Sequence, residues 1–151
     1  VSIEELARSI GLAQLGGELA HALRAELATL YAYPDVEPAL SSLRERGVQI
    51  AVCSNLAAGY GQAVRNLLPQ INNFVFSYKV GAVKPEPAIY AESCRRLNVA
   101  PADVLFVGDS PRCDVDAPSA IGMHGRLLSR TSGQTLPALL NINTERSFPT
   151  H

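Results

Sequence analysis

The sequence predicts an α/β fold, a Rossmann-like parallel sheet of three layers with a helical hairpin in front. Three observations point there. Short apolar runs at 48–53, 74–76, 104–107 and 124–128 have the length and composition of strands. Stretches with helical spacing of apolar residues lie between them, and such alternation implies parallel strands joined by right-handed crossovers. Two of the runs end abruptly in small polar residues, Ser54-Asn55 and Gly108-Asp109-Ser110, at the strand ends where α/β folds bind ligands.

Each element has its own local reason. Residues 2–10 read as an amphipathic helix, with Ile3, Leu6, Ala7 and Ile10 on one face, a capping box of Ser2 and Glu5, and a stop at Gly11. A second helix is expected over about 17–31, with Leu19, Leu23, Leu27 and Leu30 on one side. Tyr33-Pro34-Asp35 breaks the pattern. Pro38 suits the first turn of a helix that runs to Arg46 and is capped by Gly47. The run 48–53 follows as a buried strand, then a helix from about Tyr60 to Leu68 and a short strand at 74–76. VGAVKPEP must be a loop, because it holds Gly81, Pro85 and Pro87. Helix 87–97 is expected to bury Tyr90, Cys94 and Leu97 and to expose Glu92, Arg95 and Arg96. The buried strand 104–107, a short helix after Ser110, a strand at 124–128 and a last helical turn at 136–140 complete the core. The polar tail from Asn143 is expected to fray. Pro118 cannot donate to the carbonyl of Asp114, so the helix there should be short or kinked.

Bulk properties narrow the function. The 151 residues suffice for one domain with one core. A formal net charge of −1 gives no electrostatic reason to expect a nucleic-acid or membrane surface, and no basic run appears. No apolar stretch approaches the ~20 residues needed to span a bilayer. The start, VSIEELARSIG, carries acids and no basic leader, unlike a signal peptide. Cys53, Cys94 and Cys113 are odd in number and lack CxxC spacing, so they read as reduced thiols of a cytoplasmic protein.

Three polar clusters follow or lie between the strands: Ser54-Asn55, Lys84, and Asp109 with Asp114. Taken singly, each has an ordinary reading. Ser54-Asn55 is a helix-capping turn, Lys84 a solvated lysine, and Asp109 the start of a turn. Parallel strands end on one side, so the clusters can converge, and together they suit a phosphoryl group. A serine hydroxyl and backbone N–H groups hold phosphate oxygens. A lysine adds a point charge, and two carboxylates hold magnesium. Asp116 reads as solvated and Cys113 as a packed thiol. His21, His124 and His151 have no ligand spacing.

At these residues the sequence resembles the haloacid dehalogenase (HAD) superfamily over about residues 34–130. IAVCSN is similar to the second family motif, a strand ending in Ser or Thr; VGAVKPEPAIY to the third, a lysine before a Pro-rich turn and a helix; VLFVGDSPRCDVDAPSAIGM to the fourth, GDSxxxD before a Gly-Met turn. The resemblance implies that Ser54 and the Asn55 backbone bind phosphate. It implies that Lys84 stabilises the phosphoryl group and the nucleophile's charge. Asp109 would be a magnesium ligand, with Asp114 a second, direct or through water. Haloacid dehalogenases proper usually carry Ser-Asn where this chain has Gly108-Asp109, so the chain looks more like the magnesium-dependent phosphatases and phosphomutases. Residues 1–33 resemble part of the family's helical cap, 34–142 its core, and 143–151 form a flexible tail. The expected function is a magnesium-dependent phosphatase acting on a small phosphorylated metabolite. The alternative is a catalytically inactive HAD-like binding or interaction module.

The family's first motif, DxDxT, has no counterpart ahead of Ser54. Its first Asp attacks phosphorus, and its second is usually the general acid–base. Asp114-Val115-Asp116 spells DxD but already belongs to the fourth motif. The resemblance places the strand of that first motif between the second-motif and fourth-motif strands. Without it those two strands must pair directly, leave a gap or accept a strand from elsewhere. Three expectations follow: a truncated version of a longer enzyme, a degenerate member that binds without turnover, or a second chain, as in a homodimer that covers the incomplete sheet.

Overall fold

The computed structural model describes residues 3–142. The tail from Asn143, and Ser2 of the expected capping box, lie outside the described residues.

Helices α1 (Ile3–Ser9) and α2 (Ala13–Leu27) form the expected hairpin. Gly11 turns the chain between them at φ 76°, a conformation that costs glycine little. The second helix begins before the expected position 17 and ends before 31. It does not bury one leucine face. Leu12, Leu15 and Leu19 are exposed, Leu23 and Leu27 are half-buried, and the buried positions are Gly16 and Ala20.

Helix α3 (Val36–Glu45) carries Pro38 in its first turn. Its end corrects the next expectation, because strand β1 is Ala51–Ser54 rather than 48–53. Gly47 adopts φ 75°, Gly47 N–H donates to Arg44 O (2.9 Å), and Val48 N–H donates to Leu43 O (3.0 Å). This pair of bonds closes a helix C-terminus. Val48 therefore belongs to the closure of α3, not to a strand, and is exposed.

A turn at 58–60 leads into α4 (Gly61–Leu67), then β2 (Asn73–Phe76) and the single turn α5 (Ser77–Val80). Helix α6 (Pro87–Leu97) has the expected limits and buries Ile89, Tyr90, Ser93, Cys94 and Leu97. Glu92 and Arg96, expected to be exposed, are half-buried because Arg96 reaches both Glu92 and the Phe74 carbonyl of β2. After β3 (Leu105–Gly108) come a π-helical turn (Pro111–Asp116), α7 (Ala117–Ala120), β4 (His124–Leu127) and α8 (Leu136–Leu140). The helix around Pro118 is thus short and interrupted, as the missing N–H requires.

The strands are parallel but do not form one continuous sheet. β1 pairs with β2, from Ala51 opposite Asn73 to Ser54 opposite Phe76. β3 pairs with β4, from Leu105 opposite His124 to Gly108 opposite Leu127. Among the described residues β1 and β3 do not pair, so each has one edge without a strand partner. The two runs expected to be buried are accordingly only partly so. All four β1 residues are half-buried, and Leu105 is 43% exposed.

Side chains alternate across β1–β2, as a strand's period of two dictates. Cys53 and Val75 face a core cluster with Ile89, Tyr90 and Cys94 of α6 and with Val104, Phe106 and Met123. Val52, Phe74 and Phe76 face a second cluster with Leu40 of α3, Val64 of α4 and Ile71. Helices thus cover both faces of the β1–β2 pair, and the first cluster ties the β3–β4 pair to the same helix, α6. Among the described residues no helix is long and apolar enough to cross a membrane.

Candidate active site

The site lies where the loops after β1 and β3 meet the loop before α6. Ser54 is the last residue of β1 and is half-buried. The loop that follows is pinned by Ser77, a buried residue whose Oγ accepts from Leu56 N–H (2.9 Å) and donates to Leu56 O (3.2 Å). Ser77 belongs to no motif, and its one signal in the sequence is a polar residue directly after the apolar run of β2.

Asn55 does something its motif does not suggest. Its side chain donates to Lys84 O (2.9 Å) and accepts from Lys84 N–H (2.6 Å). This two-bond clasp fixes the Lys84 backbone against the end of β1, across 29 residues of sequence. The Lys84–Pro85 peptide is cis, and Glu86 accepts from Val83 N–H (3.0 Å), which closes the loop before α6.

From that anchor the Lys84 side chain runs inward, 15% exposed, and its Nζ lies 2.6 Å from Asp114 Oδ1. It also sits 5.7 Å from the centroid of the Phe106 ring. Asp114 is 2% exposed, and its other oxygen accepts from Ser110 N–H (2.9 Å). Gly108 makes room for this arrangement, since a Cβ there would overlap the Asp114 carboxylate. Tyr90 stacks edge-on against Phe106 (5.3 Å between centroids). Burial pushes its hydroxyl up to about 12, with Cys113, Cys53 and Asp114 adding to the effect, so it remains a donor. Burial likewise raises the Cys53 thiol.

Asp109 differs from Asp114. It follows β3, is exposed, and has no hydrogen bond or ion pair among the described residues. The structure therefore brings Asn55, Lys84 and Asp114 into one bonded set, with Ser54 and Asp109 at the strand ends that flank it. Asp116 is exposed, and His124 contacts Ala102 O (3.0 Å) away from the set.

The donor chemistry bears on magnesium. Among the described residues no three His, Cys, Asp or Glu side chains form a metal-holding group. Magnesium does not need one, because it typically keeps several waters and takes one or two carboxylates together with substrate phosphate. The Asp109 carboxylate, unpaired among the described residues, fits that requirement. Asp114 would have to share its oxygens with Lys84 and Ser110 N–H.

Comparison with known proteins shows the family and the fold. A family model described as haloacid dehalogenase-like hydrolase matches residues 3–122. A glyceraldehyde 3-phosphate phosphatase of Methanopyrus kandleri is 38% identical over 103 residues, 65% of this chain and 43% of that protein. The mouse (Mus musculus) haloacid dehalogenase-like hydrolase domain-containing protein 3 is 38% identical over 95 residues, 62% of this chain and 38% of that protein. The chain thus spans less than half the length of these relatives. Among solved structures, a HAD phosphatase from Thermococcus onnurineus superposes with a TM-score of 0.62 at 21% identity, over 89% of this chain and 78% of that one.

Proposed function

Since the chain belongs to the haloacid dehalogenase-like hydrolase family, we propose that it forms the phosphoryl-holding part of a magnesium-dependent phosphatase acting on a small phosphorylated metabolite. The observation that carries this reading is the buried Lys84–Asp114 pair, clasped to the end of β1 by Asn55, with the exposed carboxylate of Asp109 directly after β3. A cation held in this way suits a dianionic phosphoryl group, and the similarity to a phosphatase of M. kandleri favours that class of substrate.

The chain's own residues then have distinct roles. The Ser54 hydroxyl and the Asn55 backbone N–H donate to phosphate oxygens at the end of β1. Lys84 offsets phosphoryl charge from a position fixed by Asp114. Asp109, with Asp114 as second ligand, would hold magnesium, which when bound neutralises charge and orients the phosphoryl group. The attacking carboxylate is assigned to a DxDxT segment, which the sequence does not contain ahead of Ser54. The second reading is a module that binds magnesium and phosphate without hydrolysis, which the same Lys84–Asp114 pair and Asp109 carboxylate would allow.

Two measurements separate the readings. Calorimetry with magnesium chloride and inorganic phosphate at millimolar concentration should show binding that Asp109→Asn weakens; no heat above dilution overturns both. Fusing an N-terminal DxDxT strand should create magnesium-dependent hydrolysis across a phosphomonoester panel. If the fusion binds phosphate but stays inert, the enzyme reading fails and the binding module stands.

A further inference from the structure

The π-helical turn that carries Asp114 has a gap in its hydrogen-bond ladder, and one buried hydroxyl fills it. A π-helix bonds each carbonyl to the N–H five residues on. Ala117 N–H accordingly donates to Arg112 O. The next carbonyl in that register, Cys113 O, would need the N–H of residue 118, which is proline. Tyr90 Oη, on α6, donates to Cys113 O instead, at 2.6 Å. Tyr90 is fully buried, so no water replaces it without repacking the core.

The bond has a second consequence. Cys113 O and Asp114 N–H belong to the same peptide unit. The N–H side donates to Ser110 O (2.8 Å) while Tyr90 holds the carbonyl side. The plane from which the Asp114 side chain departs is therefore fixed at both ends. That side chain then meets Lys84 Nζ and Ser110 N–H.

We propose that Tyr90 is a positioning residue: its hydroxyl stands in for the N–H that Pro118 lacks and thereby sets the direction of Asp114 toward Lys84. The functional consequence rests on the phosphoryl-site reading above; the structural assignment does not. Tyr90 does not reach the phosphoryl group in this scheme and acts only through Asp114.

The test uses four proteins: the wild type, Tyr90→Phe, Pro118→Ala and the double variant. Tyr90→Phe keeps the ring that packs on Phe106 and removes only the hydroxyl. Pro118→Ala supplies an N–H that can bond Cys113 O. The readout is amide hydrogen exchange by NMR at Ser110, whose N–H bonds Asp114, against Val75 in the core. Tyr90→Phe should lower Ser110 protection by about tenfold, the scale of one lost buried hydrogen bond, with Val75 unchanged. In the Pro118→Ala background the same change should cost less than about threefold, because the two sites are coupled through one carbonyl. Equal losses in both backgrounds, no loss at Ser110, or parallel losses at Ser110 and Val75 would each overturn the assignment. Magnesium titration of the same proteins keeps the two ideas apart. A wild type that binds no magnesium sinks the phosphoryl-site reading and leaves the exchange result to decide the role of Tyr90.

Discussion

Asp114 lies at 2% exposure with Lys84 on one carboxylate oxygen and the Ser110 N–H on the other. A buried pair of this kind contributes little net stability against an apolar substitute, but removing one partner leaves an uncompensated charge. Lys84→Met should therefore lower stability by about 3 kcal/mol. Adding Asp114→Asn should recover part of that loss, because it removes the stranded charge. Urea unfolding of the single and double variants checks this, and an unchanged midpoint for Lys84→Met would show that the pair is not held as described. Lys84, Asp109 and Asp114 are legible in the sequence only as a set, because each alone has an ordinary reading and together they suit a phosphoryl group. What they touch was not readable. Nothing in the string shows that the Asn55 side chain grips the Lys84 backbone, because that clasp depends on a loop closing over 29 residues.

At the scale of elements, α6 was the most legible, since Pro87 starts it and the buried positions recur at helical spacing up to Leu97. The strand expected at 48–53 starts at Ala51 instead, for a local reason. Val48 looks like a strand residue but completes the hydrogen-bonded end of α3, and glycine at 47 was the clue. α2 starts at Ala13 rather than about 17 and runs through Gly16-Gly17 despite their poor helix propensity. α6 also carries a charge cluster with a pH signature. Hydrogen bonds from Arg95, then Arg96, hold Glu92 down to about 2, against an ordinary 4.5. A carboxyl lowered in the folded state contributes stability above its unfolded value and loses it as pH falls through the folded one. The window is therefore from about 4.5 down to about 2. Asp35 acts in the same direction. Burial raises its pKa, but Arg130 and the Leu136 N–H outweigh this, and the net shift is downward. In an acid titration followed by circular dichroism, Glu92→Gln should flatten the loss of stability in that window. An acid limb as steep as the wild type's would assign the acid sensitivity elsewhere.

For the whole molecule, the alternation of strands and helices was enough to predict parallel pairs with covering helices, and both pairs are parallel. Alternation alone does not set strand order, which depends on contacts between segments far apart in the chain; a gap between the second-motif and fourth-motif strands is one of the outcomes the resemblance allows. The result is two sheets that share α6 and the Tyr90–Phe106 cluster but not hydrogen bonds. An unpaired edge presents a row of N–H and C=O groups to any extended segment that reaches it, and natural proteins usually blunt such edges with charge, proline or a covering element. β3, Leu-Phe-Val-Gly, carries no charge and no proline, and Leu105 is 43% exposed beside it. Leu6, Ile10, Leu15 and Leu19 add further exposed apolar surface on the hairpin. We propose that a second copy of the chain covers the open edges. Light scattering over a concentration series should then show a mass that rises from monomer to dimer. Leu105→Lys, which places a charge at the β3 edge, should shift that transition to higher concentration. A single monomeric mass across the series, unaffected by Leu105→Lys, would mean that the edges remain open in solution.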